Sequence, residues 1–285
     1  MEILNGKLVA ESIKEKIKHA TQSEFVEKGK SVPVLACIIV GDNPASKVYV
    51  ASKEKACLSV GFGSIVKVLK EDASESDVID VIEELNKDES VSGILLQLPL
   101  PKGLDERKII SHISPEKDVD GLTEINLGRL FSKRTLVAPC TAIGIIHILE
   151  HYGICMEGKN AVVIGRSLLV GKSVASLLEE KNATVTICHS KTTNLEEITK
   201  NADILIAAIG KPKFVTADMV KDGAIVVDVG INRTDAGLVG DVDFESVASK
   251  VSFITPVPGG VGPMTIAELL SNTLLLHEKA QEARE

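Results

Sequence analysis

The stretch from residue 159 to residue 192 restricts the fold of this chain more than any other. Its first segment, Asn160 to Ile164, is rich in β-branched residues and is bounded by glycines, which is typical of a strand buried on both faces of a parallel sheet. Apolar residues then recur at helical spacing from Val170 to Leu178, and a second strand is predicted from Thr184 to Cys188. This order of strand, glycine turn, helix and strand predicts a βαβ unit of a parallel sheet.

The glycine turn of this unit is a candidate phosphate-binding site. Its string, Gly165 to Gly171, has one residue too many for G-x-G-x-x-G and carries Ser167 at the second glycine, so a nucleotide site and an ordinary βα turn both stay open. The second strand ends in His189-Ser190-Lys191-Thr192, without the acid that NAD-binding sites place there for the ribose hydroxyls. Arg166 and Ser190 can instead serve a ribose 2′-phosphate, which favours NADP over NAD.

Composition restricts the class of partner. The 285-residue chain has a net charge of −8 and is 44% hydrophobic, 25% charged and 3% aromatic, with no tryptophan. These values predict two soluble domains and argue against nucleic acid and carbohydrate as partners. Five cysteines without C-x-x-C spacing argue against a disulfide framework or a zinc cluster and favour a reducing compartment. Because the chain has neither a signal-peptide core nor an apolar run approaching about 20 residues, we expect a cytoplasmic protein with no membrane partner.

Predicted strands and helices alternate along the chain and divide into two α/β domains. In the first domain the predicted strands lie at residues 33–40, 64–69 and 93–98, and the helices at 6–28, 44–60 and 74–86. After a connecting segment at 122–138 and a helix at 141–152, the second domain adds strands at 203–208, 224–229 and 251–255. We therefore predict an N-terminal α/β substrate domain and a Rossmann-like NADP-binding domain with a parallel sheet, with a cleft between them.

Candidate catalytic residues follow the predicted strands of the first domain, where open α/β sheets bind ligands. Tyr49 and Lys53 are four residues apart and share a helix face, although Y-x-x-x-K also arises by chance on polar helices. A short-chain dehydrogenase, which uses the same string, is disfavoured because here the pair precedes the glycine turn. Gln97 follows a buried strand and is either a ligand-facing amide or a strand-end cap. Asp118 and Asp120 precede a glycine, as either a functional carboxylate pair or an Asx turn.

Two further strings carry functional expectations. The run from Pro256 to Thr265 is rich in proline and glycine and is predicted to shape a ligand site, with Pro263 in the first turn of the last helix. His147-Ile-Leu-Glu150-His151 matches the H-x-x-E-H zinc-peptidase string. Because this segment ends a short helix at Gly153, a surface histidine pair near the helix C-terminus is the preferred interpretation, and no metal is predicted.

A series of short strings stands in a fixed order along the chain. They are Tyr49-Val-Ala-Ser-Lys53, Gln97-Leu-Pro-Leu-Pro101, Lys117-Asp-Val-Asp-Gly121, Pro139-Cys-Thr141, Gly165-Arg-Ser167, His189-Ser-Lys-Thr192, Gly230-Ile-Asn232 and Pro256 to Thr265. In this order the chain resembles the bifunctional methylenetetrahydrofolate dehydrogenase/methenyltetrahydrofolate cyclohydrolase family over essentially its whole length. Ala142 and Ser173 depart from the family pattern, which has proline at both positions; neither departure removes a reactive group, but both flank the expected cofactor site.

The resemblance implies oxidation of 5,10-methylenetetrahydrofolate by NADP and hydrolysis of the methenyl cation to 10-formyltetrahydrofolate in one cleft. It also implies a role in one-carbon metabolism and purine biosynthesis, and a homodimer formed through the second domain. The implied domains are residues 1–138, completed by helix 264–285, for folate binding and catalysis, and residues 139–263 for NADP. A single-activity dehydrogenase and a non-catalytic NADP sensor stay open as alternatives, both disfavoured by the presence of Lys53.

The resemblance also implies roles for individual residues. Lys53 is central to the hydrolytic step, Tyr49 orients the substrate, Gln97 holds Lys53, and Asp120 accepts hydrogen bonds from the pterin. A cationic substrate beside Lys53 would favour the neutral amine that a base requires. The implied folate contacts are Tyr49, Val50, Ala51, Ser52, Lys53, Leu96, Gln97, Leu98, Asp120, Pro258, Gly259, Gly260, Val261 and Gly262. The implied NADP contacts are Thr141, Gly165, Arg166, Ser167, Ser190 and Ile231.

Overall fold

The computed structural model describes residues 1–235 and 237–284, which form two compact units. The six-stranded unit comprises residues 1–11, 130–134 and 138–268. The three-stranded unit comprises residues 12–129 and 135–137 and the chain from residue 269 onward.

Each strand and helix predicted from the sequence has a counterpart in the structure, and further short elements lie between them. The strands are β1 (Glu2–Ile3), β2 (Val34–Val40), β3 (Gly63–Leu69), β4 (Gly93–Leu96), β5 (Asn160–Ile164), β6 (Thr184–Cys188), β7 (Ile204–Ala207), β8 (Ile225–Asp228), β9 (Asn232–Thr234), β10 (Gly237–Val239) and β11 (Phe253–Ile254). The helices are α1 (Gly6–Thr21), α2 (Pro44–Ser59), α3 (Glu75–Lys87), α4 (Glu106–Ile110), α5 (Glu124–Phe131), α6 (Cys140–His151), α7 (Ser173–Glu180), α8 (Leu195–Thr199), α9 (Phe244–Ala248) and α10 (Val261–Glu282).

The three-stranded unit contains a small parallel sheet in the order β3-β2-β4. The central strand β2 is almost entirely buried, which explains its continuous apolar sequence. Helix α3 begins with a capping box, in which Ser74 and Asp77 accept each other's backbone N–H, and it buries Val78, Ile82 and Leu85 at helical spacing. These residues pack with the buried side chains of β2 and β4 into one core. The predicted parallel sheet of this part of the chain is confirmed.

The six-stranded unit contains the βαβ unit that the sequence predicts between residues 159 and 192. Its sheet has the order β1-β11-β8-β7-β5-β6, and every pairing is parallel. Between β5 and β6 the chain makes a π-helical turn, Leu168–Lys172, before α7 begins. The carboxyl ends of β5, β6, β7 and β8 therefore lie along one edge of the sheet, where α/β proteins bind ligands.

The segment from residue 122 to 138, predicted to be a connection, contains helix α5, so that prediction was wrong. The helix is anchored by buried Leu127 and Leu130, but its eight residues are too few for an apolar period to stand out. Gly128 further lowers its helix propensity. The segment leading into α5 is held by the Asp118 carboxylate, which accepts the backbone N–H groups of residues 122 and 123. This contact comes from outside the helix and is not visible in the local sequence.

The structure also differs from the predicted elements in smaller respects. Helix α1, predicted to reach Lys28, ends at Thr21 and is followed by a π-helical turn at Gln22–Val26. The strand predicted at 251–255 is reduced to the two residues of β11. Strand β1 and the antiparallel β9–β10 hairpin were not predicted, because segments of two or three residues carry no detectable alternation.

The H-x-x-E-H string on α6 contributes an ion pair. His151 is exposed, as predicted, but His147 is only partly exposed, and its Nδ1 lies 2.7 Å from Oε1 of the buried Glu268 on α10. The bond to this carboxylate raises the pKa of His147 above its ordinary value, although burial opposes the shift. In the described part of the chain, no three His, Cys, Asp or Glu side chains are grouped so as to hold a metal ion, and no helix is long and apolar enough to span a membrane.

Candidate active site

Lys53 and Gln97 meet at the carboxyl edge of the small sheet. Lys53 Nζ donates a hydrogen bond of 2.9 Å to Gln97 Oε1. Gln97 is itself oriented by its neighbours, because its Nε2 donates to the Leu98 carbonyl oxygen at 2.6 Å and its backbone N–H donates to the Ile38 carbonyl oxygen at 2.8 Å. The amide of Gln97 thus presents its oxygen to the lysine, and both side chains are partly exposed. Gln97 thus contacts both the adjacent backbone, as a strand-end cap does, and Lys53, and both interpretations of this residue stay open.

The remaining residues of the Y-x-x-x-K string have distinct surroundings. Tyr49 lies one helical turn before Lys53 on α2 and is 47% exposed. Val50 is buried, Ala51 is exposed, and the Ser52 hydroxyl donates to the Tyr49 carbonyl oxygen at 2.8 Å. Tyr49 and Lys53 are therefore available to a ligand, whereas Val50 packs into the core.

Two buried thiols lie close to Lys53. Burial raises the pKa of the Cys37 thiol to about 11, and the Lys53 ammonium acts in the opposite direction. Burial also raises the pKa of Cys57 to about 12. Both thiols are therefore protonated at neutral pH, which argues against either of them as a nucleophile.

The two carboxylates of the Asp118-Val-Asp120-Gly string have different environments. Asp118 is 2% exposed, and its oxygens accept the backbone N–H groups of Leu122 and Thr123 and the side-chain amide of Asn126. Asp118 is therefore structural, and the Asx-turn interpretation holds for this residue. Asp120 is partly exposed.

Strand pairing determines where Asp120 lies. Asp118 forms an isolated parallel bridge with Ile94 of β4, and the Ile94 backbone N–H donates to the carbonyl oxygen of Lys117 at 2.7 Å. Continued in parallel register, this bridge puts Asp120 beside Leu96, one residue before Gln97. Asp120 and Leu96 accordingly line the same small cavity. The sheet thus brings Asp120 to the edge that carries the lysine–glutamine pair.

The glycine turn after β5 requires glycine at its first position. Gly165 has φ +127°, and a Cβ added there would lie 2.2 Å from the Ala208 carbonyl oxygen. The loop after β7 therefore passes directly against this turn. Ser167, in the position of the second glycine, caps the following π-helical turn, because its hydroxyl accepts the backbone N–H groups of Val170 and Gly171.

A cavity opens at this edge of the six-stranded sheet and is here named the Arg166 cavity. Its volume is about 310 Å³, and it is lined by Ile164, Gly165, Arg166, His189, Ser190, Leu195, Ala208, Ile209, Lys211 and Phe214. The residues predicted to select NADP, Arg166 and Ser190, are thus brought together. Lys211 and His189 join them, and Lys211 was not among the predicted site residues.

A second cavity, the Ile231 cavity, has a volume of about 130 Å³ and is formed within the same unit. Ile231, which is 51% exposed, lines it together with all residues from Pro256 to Pro263. The predicted folate loop and one predicted cofactor contact therefore share a cavity. Thr141 lies elsewhere, at the start of α6, with its hydroxyl 3.2 Å from that of Thr265.

A buried carboxylate pair supports the loops of both cavities and was missed by sequence reasoning. Oδ2 of Asp241 accepts hydrogen bonds from the backbone N–H groups of Ile209 and Gly210. Oδ1 accepts one from the backbone N–H of Lys211 and one from the side-chain amide of Asn232. Asp241 thus fastens the loop after β7 to the loop after β8.

Asp228, the last residue of β8, is the second member of the pair. It accepts the backbone N–H groups of Gly230, Asp241 and Val242. Burial raises the pKa of Asp228 to about 6, with a further contribution from the Asp241 carboxylate, while the three N–H groups oppose the shift. The sequence carries a signal for this arrangement in Gly240, since a Cβ there would lie 1.8 Å from Asp228 Oδ2.

A Rossmann-type parallel sheet with a cation-lined cavity, on a chain that also carries a lysine–amide pair at the edge of a second sheet, defines a nicotinamide-dependent oxidoreductase with an additional acid–base site. Comparison with known proteins agrees. The chain belongs to the tetrahydrofolate dehydrogenase/cyclohydrolase family, since its residues 4–120 match the sequence model of the catalytic domain and its residues 139–281 that of the NAD(P)-binding domain.

Individual relatives are similar over the full length. The bifunctional protein FolD of Campylobacter hominis is 56% identical over 275 residues, which is 96% of each chain. The solved structure of the bifunctional FolD methylenetetrahydrofolate dehydrogenase/cyclohydrolase of Campylobacter jejuni superposes with a TM-score of 0.94, at 47% identity over all of both chains. That of the Trypanosoma brucei dehydrogenase-cyclohydrolase, complexed with NADP and an inhibitor, gives 0.93 at 34% identity, covering 99% of this chain and 98% of that one.

These matches confirm the predicted family and the α/β fold class. They also confirm the predicted function, which is oxidation of 5,10-methylenetetrahydrofolate and hydrolysis of the methenyl product by one bifunctional enzyme. Dependence on a nicotinamide cofactor is confirmed by the match to the NAD(P)-binding domain.

Proposed function

We propose that the cofactor of the dehydrogenase step is NADP and that Lys53 is the proton-transfer residue of the cyclohydrolase step. The observation that carries the second proposal is the 2.9 Å bond from Lys53 to the oxygen of Gln97, whose amide is oriented by a bond from its Nε2 to the Leu98 carbonyl oxygen. Residues 1–138 with 264–285 act as the folate-binding catalytic domain, and residues 139–263 act as the NADP-binding domain.

The hydrolytic step needs a base and then an acid. The neutral amine of Lys53 removes a proton from the water that attacks the methenyl carbon, while the Gln97 oxygen keeps the amine in position. The resulting ammonium returns this proton to the departing ring nitrogen as the carbon–nitrogen bond breaks. The proton of the added hydroxyl is released to solvent as the C=O bond of the 10-formyl product forms, which accounts for the positive charge of the substrate. Tyr49, on the same face of α2, orients the substrate. Because the methenyl substrate is a cation, its binding beside Lys53 favours the neutral amine.

Asp120 is proposed to bind the amino-pyrimidine edge of the pterin, because a carboxylate matches a planar pair of N–H donors. We expect Asp120→Ala to weaken folate binding by roughly 10- to 100-fold, which corresponds to the loss of one charge-assisted contact, and to leave NADP binding unchanged. Titration calorimetry with each ligand measures both. The matched control is Asp105→Ala, at an exposed helix N-cap in the same unit. Equal loss of both ligands from the Asp120 variant would indicate a structural role instead.

The Arg166 cavity fits the adenosine end of NADP. It combines apolar walls for the base with the Arg166 guanidinium and the Ser190 hydroxyl for a 2′-phosphate, and the strand end carries no acid that would prefer a bare ribose hydroxyl. Thr141, Gly165, Ser167 and Ile231 are the other proposed contacts. Bound NADP supplies the hydride acceptor. The protein supplies orientation, and the loop from Pro258 to Gly262 holds the folate.

We expect the wild type to prefer NADP over NAD by roughly 10- to 1,000-fold in kcat/KM, and Arg166→Ala to lose most of this preference. The reason is that a charged fork of donors interacts with the dianionic phosphate and with nothing in NAD at that position. Steady-state kinetics with both cofactors measure the effect. An Arg166→Ala enzyme with an undiminished NADP preference, or a wild type that favours NAD, would show that the phosphate binds elsewhere.

The protein is further proposed to be a cytoplasmic homodimer that serves purine biosynthesis. Its five cysteines lack the spacing of a disulfide framework, which suits a reducing compartment. Strand β6 forms an edge of the six-stranded sheet with Ile187 38% exposed, so that edge offers an unpaired strand to a second copy.

A further inference from the structure

We propose that Lys211 is a second specificity-determining cation for the adenosine 2′-phosphate, beside Arg166. The proposal rests on the NADP assignment made above and deepens it. The first supporting observation is position, because Lys211 lines the Arg166 cavity together with Arg166 and Ser190.

The loop that carries Lys211 is adjacent to the turn that carries Arg166. The Ala208 backbone N–H donates to the Ile164 carbonyl oxygen at 2.8 Å, and the Ala208 carbonyl oxygen lies where a Cβ of Gly165 would stand. Arg166 is one residue after Gly165, and Lys211 is three residues after Ala208. The two cations therefore leave the backbone from two segments in van der Waals contact.

The backbone at Lys211 is held in place. Its N–H donates to Asp241 Oδ1 at 2.8 Å, and the N–H groups of Ile209 and Gly210 donate to Asp241 Oδ2 at 2.7 and 2.9 Å. Three consecutive amides are thus fixed by one buried carboxylate. The Lys211 ammonium lies 5.5 Å from the centroid of the Phe214 ring, which also lines the cavity. Lys211 is consequently ordered toward the cavity before a ligand arrives, which lowers the entropic cost of binding.

The charge of the cavity is not balanced by the protein. Within residues 1–235 and 237–284, neither Arg166 nor Lys211 has a carboxylate partner, and no acidic residue lines the cavity. Lys213, two residues further along the same loop, pairs instead with Asp243 at 3.6 Å. Two uncompensated cations and a serine hydroxyl, beside the apolar side chains of Leu195 and Phe214, match a purine nucleoside that carries a phosphate.

The test compares two probes that differ only in the 2′-phosphate, adenosine 2′,5′-bisphosphate and 5′-AMP. Binding of each to the full-length protein is measured by titration calorimetry for the wild type, Lys211→Gln, Lys211→Arg and Lys213→Gln. We expect Lys211→Gln to weaken binding of the bisphosphate by roughly 5- to 30-fold and to leave binding of 5′-AMP unchanged. The factor corresponds to the loss of one charged contact, reduced by solvent screening. Lys211→Arg retains the charge and should keep most of the selectivity, while Lys213→Gln should match the wild type.

Selectivity retained by Lys211→Gln, an equal loss for both probes, or the same loss in Lys213→Gln overturns the role of Lys211. If the wild type binds the two probes equally, the NADP assignment itself is wrong. This outcome is distinguishable from a failure of the Lys211 role, because it is measured on the wild-type protein alone. The kinetic counterpart separates binding from chemistry: the KM for NADP should rise by the same factor in Lys211→Gln, with kcat and the KM for NAD unchanged.

Discussion

Lys53→Met should lower the cyclohydrolase kcat by roughly 100- to 10,000-fold and leave the fold and NADP binding intact. General acid–base catalysis by one positioned group contributes about this factor, and methionine retains the length of the side chain without a proton to transfer. Since Lys53 bonds to Gln97 and is partly exposed, its loss leaves no buried charge behind. Conversion of the methenyl compound to the formyl product, followed by absorbance, measures the effect.

The matched control is Lys55→Met. Lys55 is exposed on the same helix, and its replacement by methionine removes the same charge. Its cyclohydrolase rate should equal that of the wild type. Unchanged hydrolysis by a folded Lys53→Met enzyme would transfer the proton-transfer role to another group. A second variant, Gln97→Leu, removes only the oxygen that holds the amine, so it should give a smaller loss of kcat than Lys53→Met.

The sequence predicted the long elements of both sheets because their signals are local. Buried parallel strands such as β2 and β5 are nearly continuous in apolar residues, and α3 carries both its cap and its apolar period in its own sequence. Helix α5 could not be predicted in this way, since its N-terminal side is held by Asp118 from a segment that pairs with β4. A helix of eight residues is also too short for an apolar period to be detected in its own sequence.

The candidate site divides in the same manner. Lys53 and Gln97 were predicted to meet from the resemblance of their short strings to a family, and the structure places them in contact. The internal use of the Asp118 carboxylate could be seen only in the fold, because its partners are backbone N–H groups and the Asn126 amide. Lys211 was also missed, since a lysine in a surface loop resembles any other until the cavity beside it is known.

Asp241 is the residue outside the predicted site whose replacement has the largest expected effect on stability. Each of its oxygens accepts two N–H donors, Ile209 and Gly210 on one side and Lys211 and the Asn232 amide on the other. An asparagine at this position must turn its NH₂ group toward one of the two pairs, whichever way its amide is oriented. Two of the four part-buried donors then lose their acceptor, at a cost of about 1–3 kcal/mol each.

We therefore expect Asp241→Asn to lower the free energy of unfolding of the six-stranded unit by about 2–6 kcal/mol, a large part of the stability of an ordinary domain. The same change should loosen the loop that carries Lys211 and raise the KM for NADP. Urea unfolding followed by circular dichroism measures the first effect, and cofactor kinetics measure the second. Asp243→Asn is the control, because it removes only the partly exposed ion pair with Lys213, a contact with a contribution of about 0–1 kcal/mol. If Asp241→Asn were no less stable than Asp243→Asn, the four hydrogen bonds would not be what fastens the two cofactor loops together.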